Sequence, residues 1–149
     1  FMNSVYPILV GNMVEGKEKL RNTFNKTIYF LIFSGIFIGI LGIVFSSFII
    51  NLLGGNDFSQ SIGVLKVLSL GLMIFYLTSP LSWLIVTLGY QNKLPKIYFI
   101  SALFNIVANV IFIPKYSFYA ASWITVISEM IVLLLLIFTA TKSWKDKYA

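Results

Sequence analysis

The spacing of charges restricts this chain more than any other feature. Long uncharged runs lie between Lys26 and Asp57, between Lys66 and Lys93, between Lys96 and Lys115, and, interrupted once by Glu129, between Lys115 and Lys142. A helix needs about twenty apolar residues to cross a bilayer core, where it must satisfy its own backbone hydrogen bonds. The four runs predict spans near 28–53, 67–91, 96–114 and 117–141. Residues 1–10 (FMNSVYPILV) read as the end of a preceding span, because they are apolar, contain Pro7 and run straight into a polar stretch, read as a loop over 11–26. The expected fold class is all-α membrane, a polytopic transmembrane helix bundle with four complete spans plus the end of a fifth. Composition agrees: 11% of residues are charged, where soluble domains carry about a quarter.

Composition also removes chemistry. The chain has no cysteine and no histidine, which excludes disulfides, thiolate nucleophiles, imidazole bases and the commonest transition-metal ligands together. From the first span onward the carboxylates are Asp57, Glu129 and Asp146, at three different membrane levels, so no acid–base pair forms among them. An enzyme is not expected, and no cofactor. A net charge of +6 can indicate nucleic acid, but here the basic residues sit at the ends of apolar runs, so the lipid bilayer is the expected partner and nucleic acid is not. Counted over alternate loops, Lys17, Lys19, Arg21, Lys26, Lys93, Lys96, Lys142, Lys145 and Lys147 fall on one side and Lys66 and Lys115 on the other. The positive-inside rule then places loop 11–26, loop 91–96 and the carboxy-terminal tail in the cytoplasm, with the turns near 54–66 and 114–117 outside.

Within the spans, small and polar residues keep to single faces. Gly35, Gly39, Gly42 and Ser46 recur at helical spacing on the first, a pattern that lets backbones approach closely. The second span carries Pro80 near its middle among Gly71, Thr78, Ser82 and Gly89, which predicts either a static bend satisfied by hydroxyls or a gating hinge. A short turn at Pro114 makes the third and fourth spans an antiparallel hairpin. Asn109 then matches Ser122 in depth, Asn105 matches Thr125, and Ser101 matches Glu129, so two polar stripes face each other or line a common cavity. A carboxylate mid-span costs roughly 3 kcal/mol, less than the apolar residues from Ile124 to Phe138 return, so the helix still inserts. Glu129 is expected to face protein or water, either tying helices together or taking part in ion coupling or substrate contact.

The run Asn105-x-x-x-Asn109-x-x-x-Ile113-Pro114-Lys115-Tyr116, then Ala120-Ala121 and Thr125-Val126-Ile127-Ser128-Glu129, resembles the last two helices of polysaccharide flippases of the Wzx type. These belong to the multidrug/oligosaccharidyl-lipid/polysaccharide exporter superfamily, together with lipid II flippases and MATE drug exporters. Val5-Tyr6-Pro7, Leu52-Leu53-Gly54 with Phe58 and Ser61, and Gly89-Tyr90-Gln91-Asn92-Lys93 fit the same family in order and spacing. Departures are Ser117 and Ala120, where the family often has glycine, and Ser122 and Ile124, where it often has alanine.

The resemblance implies the carboxy-terminal lobe of a twelve-helix fold in a bacterial cytoplasmic (inner) membrane, with the remaining amino-terminal helices of the same protein as partners. It implies flipping of an undecaprenyl-diphosphate-linked oligosaccharide, a polyprenyl-diphosphate-linked glycan, for polysaccharide biosynthesis in the cell envelope. The alternatives are a cation-coupled, MATE-like small-molecule exporter and a lipid II flippase. In lipid II flippases a sodium ion lies between the corresponding helices, held by side chains that match Asn105, Asn109 and Thr125 and a backbone carbonyl that matches Ala121. The family pattern has an acidic residue at the position of Asn109, and Glu129, one turn from Thr125, is placed to restore that charge.

Overall fold

A computed structural model describes residues 1–149, the side chain of Asn56 excepted. Every regular element among the described residues is helical: α1 (Met2–Glu15), α2 (Lys17–Val44), α3 (Ser46–Gly54), α4 (Ser61–Thr87), two single 3-10 turns, and a final stretch Leu94–Tyr148. That stretch is broken at Ser117, whose φ of 54° and ψ of −149° reverse the chain, giving α5 (94–116) and α6 (118–148). Helix α2, helix α4 and the stretch from Gln91 to Tyr148 are each long and apolar enough to cross a membrane.

The polar stretch 11–26, read as a loop, is helical on both sides of Gly16, whose φ of 133° makes the whole turn. Hydropathy marks where a helix leaves the apolar layer, not where its hydrogen bonding stops. Outside that layer the turn is held by an ion pair between Lys19 and Glu15 and by Asn12 Nδ2, which donates to Thr23 Oγ1 at 2.7 Å. Conversely, the run read as one span over 28–53 bends at Phe45, where α2 gives way to α3. Ser46 Oγ donates back to the Ile43 carbonyl at 2.8 Å, a side-chain bond that competes with the helical ladder.

Glycine sets the packing of α2 on α4. A Cβ placed on Gly35 would lie 2.6 Å from Tyr76 Cβ, one on Gly39 would run into Met73, and one on Gly42 would lie 2.5 Å from Ser69 Oγ. As the α2 numbers rise the α4 numbers fall, so the two helices are antiparallel and in contact along the whole stripe. On its other side α4 runs parallel to α6, with Gly71 against Val126 and Gly63 against Tyr119, whose hydroxyl donates to the Gln60 carbonyl at 2.9 Å. Helix α4 is therefore the central helix, α5 pairs with α6, and α1 reaches α4 through Tyr6 and Trp83, ring centroids 4.8 Å apart.

The most deeply buried side chains, Leu9, Leu20, Ile85, Leu88 and Leu136, cluster at one end of the bundle. The basic residues gather around that end. Lys17 lies 5.5 Å from the Tyr148 ring, Lys93 Nζ is 3.2 Å from Ser143 Oγ, and Arg21 and Lys145 line one groove. Along the helices, large apolar side chains such as Phe33, Phe99, Ile106, Val110 and Phe138 stand exposed. A surface of that kind is matched to lipid tails rather than to water.

Candidate functional site

The α5–α6 hairpin carries a chain of polar contacts through otherwise apolar helices. Ser101 Oγ donates to the Ser128 carbonyl at 3.0 Å, and Asn105 Nδ2 donates to Ser128 Oγ at 2.9 Å. Ser128 Oγ in turn donates a hydrogen bond to the Ile124 carbonyl at 2.8 Å. One turn along α5, the Asn109 amide donates both to the Asn105 carbonyl at 2.9 Å and to Asn105 Oδ1 at 2.8 Å. Donation therefore runs one way, from Asn109 through Asn105 and Ser128 to the α6 backbone.

The first member of this relay is left with an unanswered acceptor. Asn109 Oδ1 is buried and, among the described residues, has no hydrogen-bond partner. Turning the amide over would aim its NH2 outward and lose both donations to Asn105, so the neighbouring bonds fix the orientation. A buried amide oxygen without a donor costs about 1–3 kcal/mol, which a water, a donor group or a cation would recover.

The remaining predicted site residues stand beside the relay. Thr125 Oγ1 donates to the Ala121 carbonyl at 2.9 Å, leaving lone pairs on both oxygens, and Thr125 is exposed. Glu129 is half-buried one turn further along the same face, and no basic side chain among the described residues lies within ion-pair distance of it. The structure thus brings Asn105 and Asn109 into direct contact, while Thr125 and Glu129 form a separate pair on α6 that makes no hydrogen bond to the asparagines. No group of three or more Asp, Glu, His or Cys side chains able to hold a metal ion occurs among the described residues. Oxygen lone pairs remain free on Asn109, Thr125, Ala121 and Glu129, spread over about two helical turns of the hairpin.

Ser128 is the functional neighbour that depth matching missed, since that matching pairs Ser101 with the adjacent Glu129. Its signal was present in the spacing of Ala120, Ile124 and Ser128, the i, i+4, i+8 stripe that α6 buries toward α5. On α4, Pro80 is fully buried between two back-bonding hydroxyls: Thr78 Oγ1 donates to Phe75 O and Ser82 Oγ to Thr78 O, both at 3.0 Å. Ser82 Oγ also lies 2.8 Å from Tyr98 Oη, which links the proline turn of α4 to α5.

Apolar helices with lipid-matched outer surfaces and a glycine-packed centre define a multi-pass membrane protein. Residues 3–111 match the MatE family, and the chain belongs to that family, whose members are transporters rather than enzymes. It is also similar to a capsular polysaccharide biosynthesis protein, CapF, of Staphylococcus aureus, 27% identical over 139 residues that cover 90% of this chain. The chain spans 35% of the length of that relative. No solved structure matches it.

Proposed function

We propose that this chain is the carboxy-terminal lobe of a longer flippase, with α2–α3, α4, α5 and α6 as four membrane crossings and α1 as the end of a preceding one. The lobe works with amino-terminal helices to carry a polyprenyl-diphosphate-linked oligosaccharide outward across the cytoplasmic membrane. Its carboxy terminus and the Gly16 turn lie in the cytoplasm, where the positive-inside rule puts the basic end. The polysaccharide substrate class is supported by the likeness to CapF. A transport role for the hairpin is supported by one observation above the rest, the relay that ends on an unpaired, buried Asn109 Oδ1.

The unpaired oxygen fits a cation-coupled cycle. Asn109 Oδ1, Asn105 Oδ1 and Thr125 Oγ1 are neutral oxygen donors, which suit a hard monovalent ion such as sodium, with the Ala121 carbonyl as a further oxygen and the Glu129 carboxylate one turn deeper than Thr125 on α6. When bound, sodium supplies a positive charge shared by α5 and α6. A protonated Glu129 serves the same coupling role if the ion is H+. Pro80 gives α4 a turn with one fewer backbone bond, and the Ser82–Tyr98 contact passes its movement to α5.

Complementation of a flippase-deficient strain by the full-length protein tests this reading. Glu129→Gln and Asn109→Leu are expected to lower surface polysaccharide at least tenfold at normal expression, and Thr125→Val and Asn105→Leu to weaken sodium dependence. Wild-type flipping by Glu129→Gln, with unchanged ion and pH dependence, returns Glu129 to a purely structural role. Saturable uptake of hydrophobic cations without any need for the sugar-lipid pathway replaces flipping by small-molecule export.

A further inference from the structure

Lys93, Lys96 and Lys142 converge on the mouth of a groove of about 470 Å³ between α5 and α6, floored by Ile97, Leu135 and Phe138. No carboxylate occurs among the described residues of its lining. Lys93 is held in place from behind: its Nζ lies 3.2 Å from Ser143 Oγ, 4.1 Å from the Tyr90 ring centroid and 4.0 Å from Asp146 Oδ2. Lys96 and Lys142 are exposed and free of ion pairs among the described residues. Basic residues at helix ends commonly snorkel to the interface, but here three of them edge one interhelical pocket over an apolar floor.

The apolar floor continues as a track. From Ile100 at the basic mouth, adjoining hollows pass Phe104 and Ala108 to Phe112 with almost no polar surface. At about 1.5 Å per residue, the ~15 Å half-thickness of a bilayer core reaches from Ile97 at the mouth to about Val107, and the hollows beyond, as far as Phe112, lie in the opposite leaflet.

We propose that this groove holds an anionic phospholipid of the leaflet on the basic side, with its phosphate at Lys93, Lys96 and Lys142 and an acyl chain laid along α5 to about Val107. The bound lipid wedges the hairpin at the end opposite Ser117. This rests on the membrane location of the chain alone and not on what the transporter carries.

The test uses the full-length transporter in phosphatidylcholine nanodiscs with a phosphatidylglycerol probe bearing a photoreactive acyl chain. Crosslinks are expected in 97–107 and 135–138, displaced by unlabelled phosphatidylglycerol but not by phosphatidylcholine. Each Lys→Gln change at 93, 96 or 142 is expected to lower labelling about fivefold at low salt. The triple Lys→Arg variant keeps the charge and should keep the labelling, which separates lost charge from lost fold, and Lys115→Gln at the far end should leave it unchanged. Equal labelling of the triple Lys→Gln variant overturns the proposal. So does displacement of the probe by undecaprenyl phosphate but not by phosphatidylglycerol, which assigns the groove to the transported lipid.

Discussion

Replacing Gly35 by alanine separates helix packing from helix propensity. The added Cβ would lie 2.6 Å from Tyr76 Cβ and 2.9 Å from Tyr76 Cγ. Carbon atoms pack at about 3.5–4.0 Å, so α2 and α4 must part by about 1 Å there, because a Cβ cannot swing aside as a side-chain tip can. Overpacking of this kind costs about 1–3 kcal/mol, while Gly→Ala in a helix returns up to about 1 kcal/mol, leaving a net loss of as much as ~2 kcal/mol. Gly39→Ala meets the long, flexible Met73 side chain and should lose less. Gly11→Ala meets nothing within 4 Å in an exposed part of α1 and should be neutral or stabilising. Thermal survival of the monodisperse, detergent-solubilised protein should rank Gly11→Ala at or above the parent, then Gly39→Ala, then Gly35→Ala. A Gly35→Ala protein as stable as Gly11→Ala refutes the close approach of α2 and α4.

Two further outcomes follow from the turn and the charges. Ser117→Gly should stabilise the protein by about 1 kcal/mol, because serine at φ 54° and ψ −149° occupies a region nearly confined to glycine, and Ser117→Val should do the reverse in the same assay. In intact cells, single cysteines replacing Lys19 or Lys145 should resist a membrane-impermeant thiol reagent while one replacing Lys66 reacts, and the opposite pattern inverts the proposed orientation.

Most of the fold was legible because bilayer insertion leaves few choices for long uncharged runs, and because glycine spacing states where helices meet. The α2 stripe at Gly35, Gly39 and Gly42 packs as its periodicity predicts. The hairpin register was also legible, since contacts such as Ser101 with Ser128 fall within one residue of the depth matching. What escaped was local. The Gly16 turn hid inside a polar stretch whose helical hydrogen bonds leave no mark in hydropathy. The chain reverses within the turn expected at 114–117, but the residue that makes the reversal is Ser117, which supplies the positive φ, while Pro114 sits in the last turn of α5. At the site, helical phase within a stripe decided what depth could not: a step of one residue turns α6 by 100° and exchanges Glu129 for Ser128 as the partner facing α5.

That exchange bears on the charge at the site. Where the resembling flippases carry an acidic residue, this chain has Asn109, and the amide does what a carboxylate cannot: it donates twice to Asn105 and so anchors the relay. A carboxylate at 109 would remove both donations and set a negative charge against the Asn105 carbonyl and Oδ1. With asparagine there, α5 presents only neutral oxygens, and the one carboxylate inside the apolar runs is Glu129 on α6. Cohesion of the hairpin and the charge that would meet a coupling ion are therefore divided between its two limbs. In the proposed cycle, α5 brings the unpaired Asn109 oxygen at the level of Ser122, and α6 brings the charge about two turns deeper, at the level of Ser101.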